Sequence, residues 1–357
     1  MKMSHSITPC DLDWVLGEQT LGPHELYFAN ALKKNGRNVS YINIHSLYPD
    51  YWKKFSGYSH RFPRKYDNSI QRNYSRVIND ALIKIYNSEK PSCIFIYNDC
   101  RVLPDTLDYF KSNGTKIIIF LGDDPNYLFT SKKTFLLTVM KADKIIVPDT
   151  GWIDGLKMLD LKNIFFSPVG TNPDVFHPVT PSENQRNKYS SEIIFIGTGY
   201  YLNSWGIKRA SVLNELSGMN FKIFGDSQWS DVFPFFPDLK KHFVNEPLSS
   251  MEVNAACCCS EIYPVTVNSG VVNGVSTRVF DCISSGIFVL AEYKKDFDMI
   301  FPDNEVVCFR SKSELKEKVL YYLSNKNEMK DHIQKSSETV KRKYTQEILV
   351  KGILEQI

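Results

Sequence analysis

Short apolar, β-branched runs recur along this chain at intervals long enough to hold a helix, and that spacing restricts the fold more than any other feature. Leu12–Leu16 reads as a strand, followed by a helix from Pro23 to Lys34 that stops at Asn35-Gly36; Val39–Ile44 is the next strand. Cys93–Tyr97, Lys116–Leu121, Lys144–Val147 and Ile164–Ser167 continue the series. The run Ile117-Ile118-Ile119-Phe120-Leu121 has no polar face, as expected of a parallel strand covered by helices on both sides. Parallel strands need crossovers of helix length, where hairpins need only tight turns. The pattern predicts a doubly wound α/β sheet.

From Val175 to Ser190 the alternation lapses into a stretch with two prolines and several polar residues, which reads as a linker. It then restarts with Ile193–Ile196, a helix over Ile207–Leu216, Phe221–Phe224, a helix near Met251–Cys259, Ile262–Val265, a helix over Thr277–Ser284, and Ile287–Leu290. Helical stretches Ser313–Ser324 and Glu328–Ile357 close the chain, the second broken near Tyr344. A length of 357 residues exceeds one ordinary core, and domains of about 150 residues are the usual solution. Two Rossmann-like doubly wound domains facing across a cleft are therefore expected, over 1–178 and 187–340.

The longest apolar runs fall far below the roughly 20 residues of a membrane span, and Met1–Cys10 has no apolar signal-peptide core. A cytoplasmic location is expected. None of the eight cysteines forms a C-x-x-C pair or a zinc-spaced cluster with histidine, so they read as small buried hydrophobes. The net charge of +3 does not by itself call for a nucleic-acid partner.

In open parallel sheets ligands bind beyond the carboxyl ends of the strands, so the loops there are the places to search. Gly197-Thr198-Gly199-Tyr200 follows the strand ending at Ile196, but Leu202 stands where a dinucleotide fingerprint needs its third glycine. The glycines can serve a phosphate approach or simply a tight turn. Gly225-Asp226 follows the next strand and suits either a nucleotide contact or ordinary turn chemistry. The segment from Val267 to Gly286 runs through an Asn/Gly/Ser loop, with Asn273 and Gly274, into a helix starting near Thr277. Helix-start N–H groups with Ser276, Thr277 and Arg278 make a receptor for a diphosphate. Asp281 lies one turn beyond Arg278, so the pair can face one ligand or form a local ion pair.

The pattern N-x4-N-x4-R-x-F-D-x4-G, formed by Asn268, Asn273, Arg278, Phe280, Asp281 and Gly286, resembles the C-terminal half of the CgeB-type glycosyltransferases, within the GT-B class. Three other stretches agree. Ile118–Pro125 (IIFLGDDP) is similar to the family's strand and acidic-Pro turn. Lys144–Pro178 is similar to the segment closing the first GT-B domain, and Arg209 with Leu213 and Leu216 matches the family's Arg-plus-leucine helix. The resemblance spans about residues 115–350 and implies transfer of a hexosyl or pentosyl group from a nucleotide-diphosphate sugar, with a UDP-type donor expected. It implies that Arg278 contacts the diphosphate, that Asp281 holds the ribose, where many relatives carry Glu, that the Gly197–Tyr200 loop lies over phosphates or sugar, and that a final helix, 341–357, returns to the first domain. No cofactor and no metal are implied: helix dipole and arginine neutralise the leaving group, and Asp11-x-Asp13 sits at the wrong end of its strand.

An inverting transfer needs a general base near the acceptor hydroxyl; Glu18, His24, Asp123 and Asp124 follow strands of the first domain and are the candidates. The stretch 52–76 interleaves Lys53, Lys54, Arg61, Arg64, Lys65, Arg72 and Arg76 with aromatics. Through Arg61, Arg64 and Lys65 it suits an anionic acceptor: a glycan of polysaccharide biosynthesis, a lipid-linked glycan at the inner membrane face, or a nucleic-acid base. A nucleotide-sugar epimerase of the same fold and a non-catalytic sugar or nucleic-acid binding protein are the alternatives.

Overall fold

The computed structural model describes residues 12–17, 24–50, 54, 63–97, 101–125 and 135–357. They form two compact units, each built on a six-stranded, fully parallel sheet. Among the described residues no helix is long and apolar enough to cross a membrane.

The first unit comprises 1–148, 152–167 and 350–357. Its strands are β1 (Leu12–Gly17), β2 (Asn38–Asn43), β3 (Cys93–Tyr97), β4 (Lys116–Phe120), β5 (Lys144–Val147) and β6 (Ile164–Phe166), in the order β2-β1-β3-β4-β5-β6. Alternation along β4 explains its wholly apolar sequence. Ile117, Ile119 and Leu121 join the core on one face, where Tyr74, Ile78, Leu82 and Tyr86 line one stripe of the helix Arg64–Glu89. Phe120 points to the other face, where Phe28 of the helix His24–Lys34 meets Phe95 and Phe120, and Tyr97 stacks on Phe120 at 4.8 Å between ring centroids. Helices thus cover both faces of this sheet.

The second unit comprises 149–151 and 168–349. Its strands are β7 (Ser191–Ile196), β8 (Phe221–Gly225), β9 (Phe243–Asn245), β10 (Ser260–Val265), β11 (Phe288–Glu292) and β12 (Val307–Phe309), in the order β12-β11-β10-β7-β8-β9. This is the dinucleotide-fold order, in which the direction of winding reverses between β7 and β10. The reversal leaves a crevice at their carboxyl ends.

The sequence-derived boundaries shift in three places. The chain leaves the first unit at Ser167/Pro168, ahead of the proline-containing stretch, and returns at Val350 rather than at residue 341. The expected linker contains a helix, Glu183–Tyr189, started by a capping box between Ser182 and Gln185 that outweighs the flanking prolines. The closing helices break at Tyr344, as the pattern predicts, giving Lys326–Lys343 and Gln346–Leu354.

Gly170 shows why one break is obligatory. Its φ is +68°, and a Cβ there would lie 2.5 Å from the Tyr344 carbonyl oxygen, so only glycine lets this backbone pass. Beyond it, Thr171 pairs with 344–346: its N–H donates to Tyr344 O at 3.0 Å and its carbonyl accepts from Gln346 N–H at 2.8 Å.

Asp13 lies on β1 and is fully buried; Arg37 grips its carboxylate with two bonds of 2.7 and 2.8 Å. The acidic residue at the start of β1 is therefore a structural ion pair. Arg37→Ala leaves that carboxylate without its cation and is expected to lower unfolding free energy by about 3 kcal/mol in urea titration. The double variant Asp13→Leu/Arg37→Leu should recover most of the loss; an equal loss in both would show that the pair contributes little.

Candidate functional site

The sheet reversal places two loops side by side, Gly197–Tyr201 after β7 and 266–276 after β10. The first is held from below by the turn after β8. The Trp229 indole N–H donates to Gly197 O at 2.9 Å, and Asp226 accepts from Gly199 N–H at 3.2 Å and from Gln228 N–H at 3.1 Å. Gly199 has no room for a side chain: a Cβ would sit 2.3 Å from the Trp229 nitrogen. The loop leaves through Tyr200 and Tyr201, both left-handed at φ 60° and 57°, into the helix Ser204–Asn214 capped by Asn203. Two successive non-glycine residues in that region store strain of about 1–3 kcal/mol each.

Arg209, on the second turn of that helix, ties the two loops together. Its Nη1 donates to Thr198 O at 2.6 Å and its Nε to Thr266 Oγ1 at 3.2 Å, while the guanidinium lies 4.4 Å from the Tyr200 ring and 5.2 Å from that of Phe195. The residue is 9% exposed, and burial pulls its pKa down. Among the described residues no carboxylate forms an ion pair with it. Its neighbour Lys208 bonds Glu292 Oε1 at 2.6 Å and Val267 O at 3.0 Å, and Glu292 Oε2 accepts from Val267 N–H at 3.2 Å.

The second loop hangs on two buried carboxylates. Asp149 accepts from Val272 N–H at 2.8 Å and Asn273 N–H at 2.9 Å; Asp296 accepts from Thr150 N–H at 3.0 Å and from the Thr150 hydroxyl at 2.5 Å. The Asn273 amide donates to Thr150 Oγ1 at 3.0 Å, so this side chain secures the loop. Burial raises the Asp296 pKa, opposed by its bonds to Thr150.

Ser276 caps the helix Thr277–Ser285, accepting from Arg278 N–H at 3.3 Å. Arg278 Nη1 approaches Asp281 Oδ2 at 3.9 Å; the arginine side chain is 31% exposed and the aspartate side chain 5%. Asp281 Oδ1 accepts from the Thr171 hydroxyl at 2.9 Å. Burial lifts the Asp281 pKa to about 7 from an ordinary 3.8, with Arg278 and then Thr171 pulling it back. On the same helix Cys282 meets Cys257 at 3.7 Å between sulfurs, both thiols buried.

All thirteen residues singled out in the second domain thus cluster at the carboxyl ends of β7, β8 and β10: Gly197, Thr198, Gly199, Tyr200, Arg209, Gly225, Asp226, Asn273, Gly274, Ser276, Thr277, Arg278 and Asp281. Their duties divide. Asp226 and Nη1 of Arg209 hold backbone and the Asn273 amide holds the Thr150 hydroxyl, whereas the Arg278 side chain is half-buried in the first turn of its helix. In the first unit, Asp123 and Asp124 follow β4, Asp123 exposed and Asp124 half-buried, and His24 opens its helix with its ring edge-on to Tyr27. Glu18 and Arg61, and the side chains of Arg64 and Lys65, lie outside the described residues. Sequence reasoning passed over Asp149, Lys208, Glu292, Asp296 and Thr171. Asp149, Glu292 and Asp296 end or closely follow strands β5 and β11, so the strand-end rule applied to Asp123 would have found them.

Residues 208–355 match a family model described as "Glycosyl transferase-like". Comparison with curated protein sequences finds no match. Among solved structures, sucrose-phosphate synthase from Thermosynechococcus elongatus superposes with a TM-score of 0.66 at 9% identity, over 97% of this chain and 98% of that one. The α,α-trehalose 6-phosphate synthase of Burkholderia multivorans gives 0.65 at 10% identity, over 97% and 98%. The Anabaena protein HepE, solved in complex with UDP-glucose, gives 0.64 at 9% identity, over 96% and 98%. The fold is GT-B. At these identities the likeness is one of fold, and it extends over both GT-B units.

The Asp281 proton yields a stability prediction. Between about pH 4 and pH 7 the folded protein holds a proton that the unfolded chain has released, so stability falls as pH rises through this window. Asp281→Asn removes that dependence. In thermal melts across pH 5 to 8 the variant should gain on the wild type by up to a few kcal/mol as pH rises; parallel curves would show the carboxyl to be ordinary.

Proposed function

We propose that this protein is a glycosyltransferase of the CgeB-like kind, and that its second unit binds a nucleotide-diphosphate sugar at the carboxyl ends of β7 and β10. The buried Arg209 guanidinium, paired with carbonyls and ring faces and, among the described residues, with no carboxylate, carries the reading: it leaves a positive field at a glycine loop, which suits a phosphate ligand. The glycosyl transferase-like match over 208–355 and the UDP-glucose bound to HepE support the same choice, with a UDP-type donor.

Each group then has a task. Arg278 meets the diphosphate through its half-buried side chain, helped by N–H groups at the start of the helix Thr277–Ser285. Arg209 acts through its charge and through the loop it holds, since Nε and Nη1 already have partners. As the glycosidic bond breaks, negative charge grows on the departing diphosphate, and these fixed cations stabilise that state more than the bound donor. Asp281, when ionised, accepts from a ribose hydroxyl. We assign acceptor activation to Asp123, Asp124 or His24 of the first unit, and acceptor recruitment to the basic stretch 52–76, whose chemistry suits an anionic glycan.

The test is thermal shift and calorimetry with UDP, GDP, CDP, ADP, dTDP and NAD, without added metal. UDP should stabilise the protein, by about 2.7 kcal/mol at a hundred times its Kd. Arg278→Ala should weaken UDP binding by about 10- to 100-fold, the loss expected for a charge-assisted phosphate contact. Full affinity in that variant, or stabilisation by NAD alone, would overturn the assignment. Isomerisation of the donor sugar without UDP release would identify an epimerase instead.

A further inference from the structure

Asp281 is held by Thr171, a residue of the stretch Lys144–Pro178. We propose that Thr171 is a positioning residue of the donor site: its hydroxyl fixes Oδ1 of Asp281 and leaves Oδ2, on the Arg278 side, to accept from a ribose hydroxyl. This rests on the donor reading above. The geometry is direct: the Thr171 hydroxyl donates to Oδ1 at 2.9 Å, Arg278 Nη1 lies 3.9 Å from Oδ2, and Thr171 is 1% exposed.

Thr171 can do this because its own backbone cannot move. Its N–H and carbonyl are both bonded across to Tyr344 and Gln346, and the preceding Gly170 passes the Tyr344 carbonyl too closely for any side chain. Tyr344 is anchored in turn: its hydroxyl donates to Ile300 O at 2.9 Å, and its ring packs against Phe280 and Phe301 at 5.6 and 5.8 Å. The hydroxyl that meets Asp281 thus projects from a backbone bridge bonded on both sides. A buried carboxylate whose first oxygen is tied down cannot rotate, so the direction of its second oxygen is set before any ligand arrives.

The hydrogen bond also favours the ionised form, the form that can accept a ligand hydroxyl. Among the described residues, the titratable groups by the carboxyl are Arg278 and Cys282 on its own helix, and these two in turn meet Cys257 from the helix Ser250–Cys258 and Tyr263 from β10. Arg278 is the one cation among them and opposes the cost of burial together with Thr171.

Two readouts test the role. The first is the titration midpoint of the Asp281 carboxyl in the ligand-free protein, by infrared difference against Asp281→Asn. Thr171→Val removes the hydroxyl at nearly constant volume and should raise the midpoint by about one pH unit; Thr171→Ser should restore it, and Thr171→Ala serves if the valine variant does not fold. The second is UDP affinity against pH: Thr171→Val should bind about fivefold more weakly at pH 7 and recover toward wild type at pH 9. An unmoved midpoint, or a loss of affinity equal at every pH, overturns the positioning role. A wild type that binds no nucleoside diphosphate overturns the donor reading and this role with it, and the ligand-free midpoint distinguishes that failure from the other.

Discussion

A buried guanidinium that forms no ion pair among the described residues organises the carboxyl end of the second sheet. Arg209 reaches from its helix to Thr198 on one side of the winding reversal and to Thr266 on the other, so two strands distant in sequence present their loops in one register. Carbonyl dipoles and the faces of Tyr200 and Phe195 compensate part of its charge. The left-handed tyrosines, the crowded Gly199 and the Asp226 clamp then follow from the need to bring a loop's carbonyl down onto that cation.

Around this centre carboxylates act mainly as backbone holders. Asp226, Asp149 and Glu292 each accept from loop N–H groups, and Asp296 secures Thr150, which in turn receives the Asn273 amide. Negative charge is thereby drawn to the underside of the loops, while Arg278 stays partly exposed above its helix start. The arrangement suits an anionic ligand because the donors that remain uncommitted are cationic or N–H groups.

The architecture was legible wherever burial wrote itself into composition. β4 could be read from Ile117 to Leu121 because helices cover both its faces, and β3, β5, β7, β8, β10 and β11 carry similar runs. β9 and β12, three-residue edge strands, escaped, whereas β6, equally short and also at an edge, was legible from its Ile164-Phe165-Phe166 run. The helix Glu183–Tyr189 was hidden by its prolines, although its capping box was present in the sequence. In the site, Arg278 and Asp281 are neighbours on one helical turn, so spacing revealed them. Thr171 and Asp281 are 110 positions apart, and Asp149 stands 124 positions from Asn273; only the folded chain brings such pairs together.

Neither unit is a single stretch of chain, and this bears on the order in which they can be completed. The second unit has all its strands once Leu349 has been made. The first unit includes Val350–Ile357, where Lys116 and Lys144 at the amino ends of β4 and β5 bond the carbonyls of Ile357 and Gln356. During synthesis this part of the first unit therefore follows the whole of the second, and the amino ends of β4 and β5 lack these bonds until it is made. Excising the second unit as one contiguous piece would also strip Asp149 from it, leaving two loop N–H groups without the carboxylate that holds them.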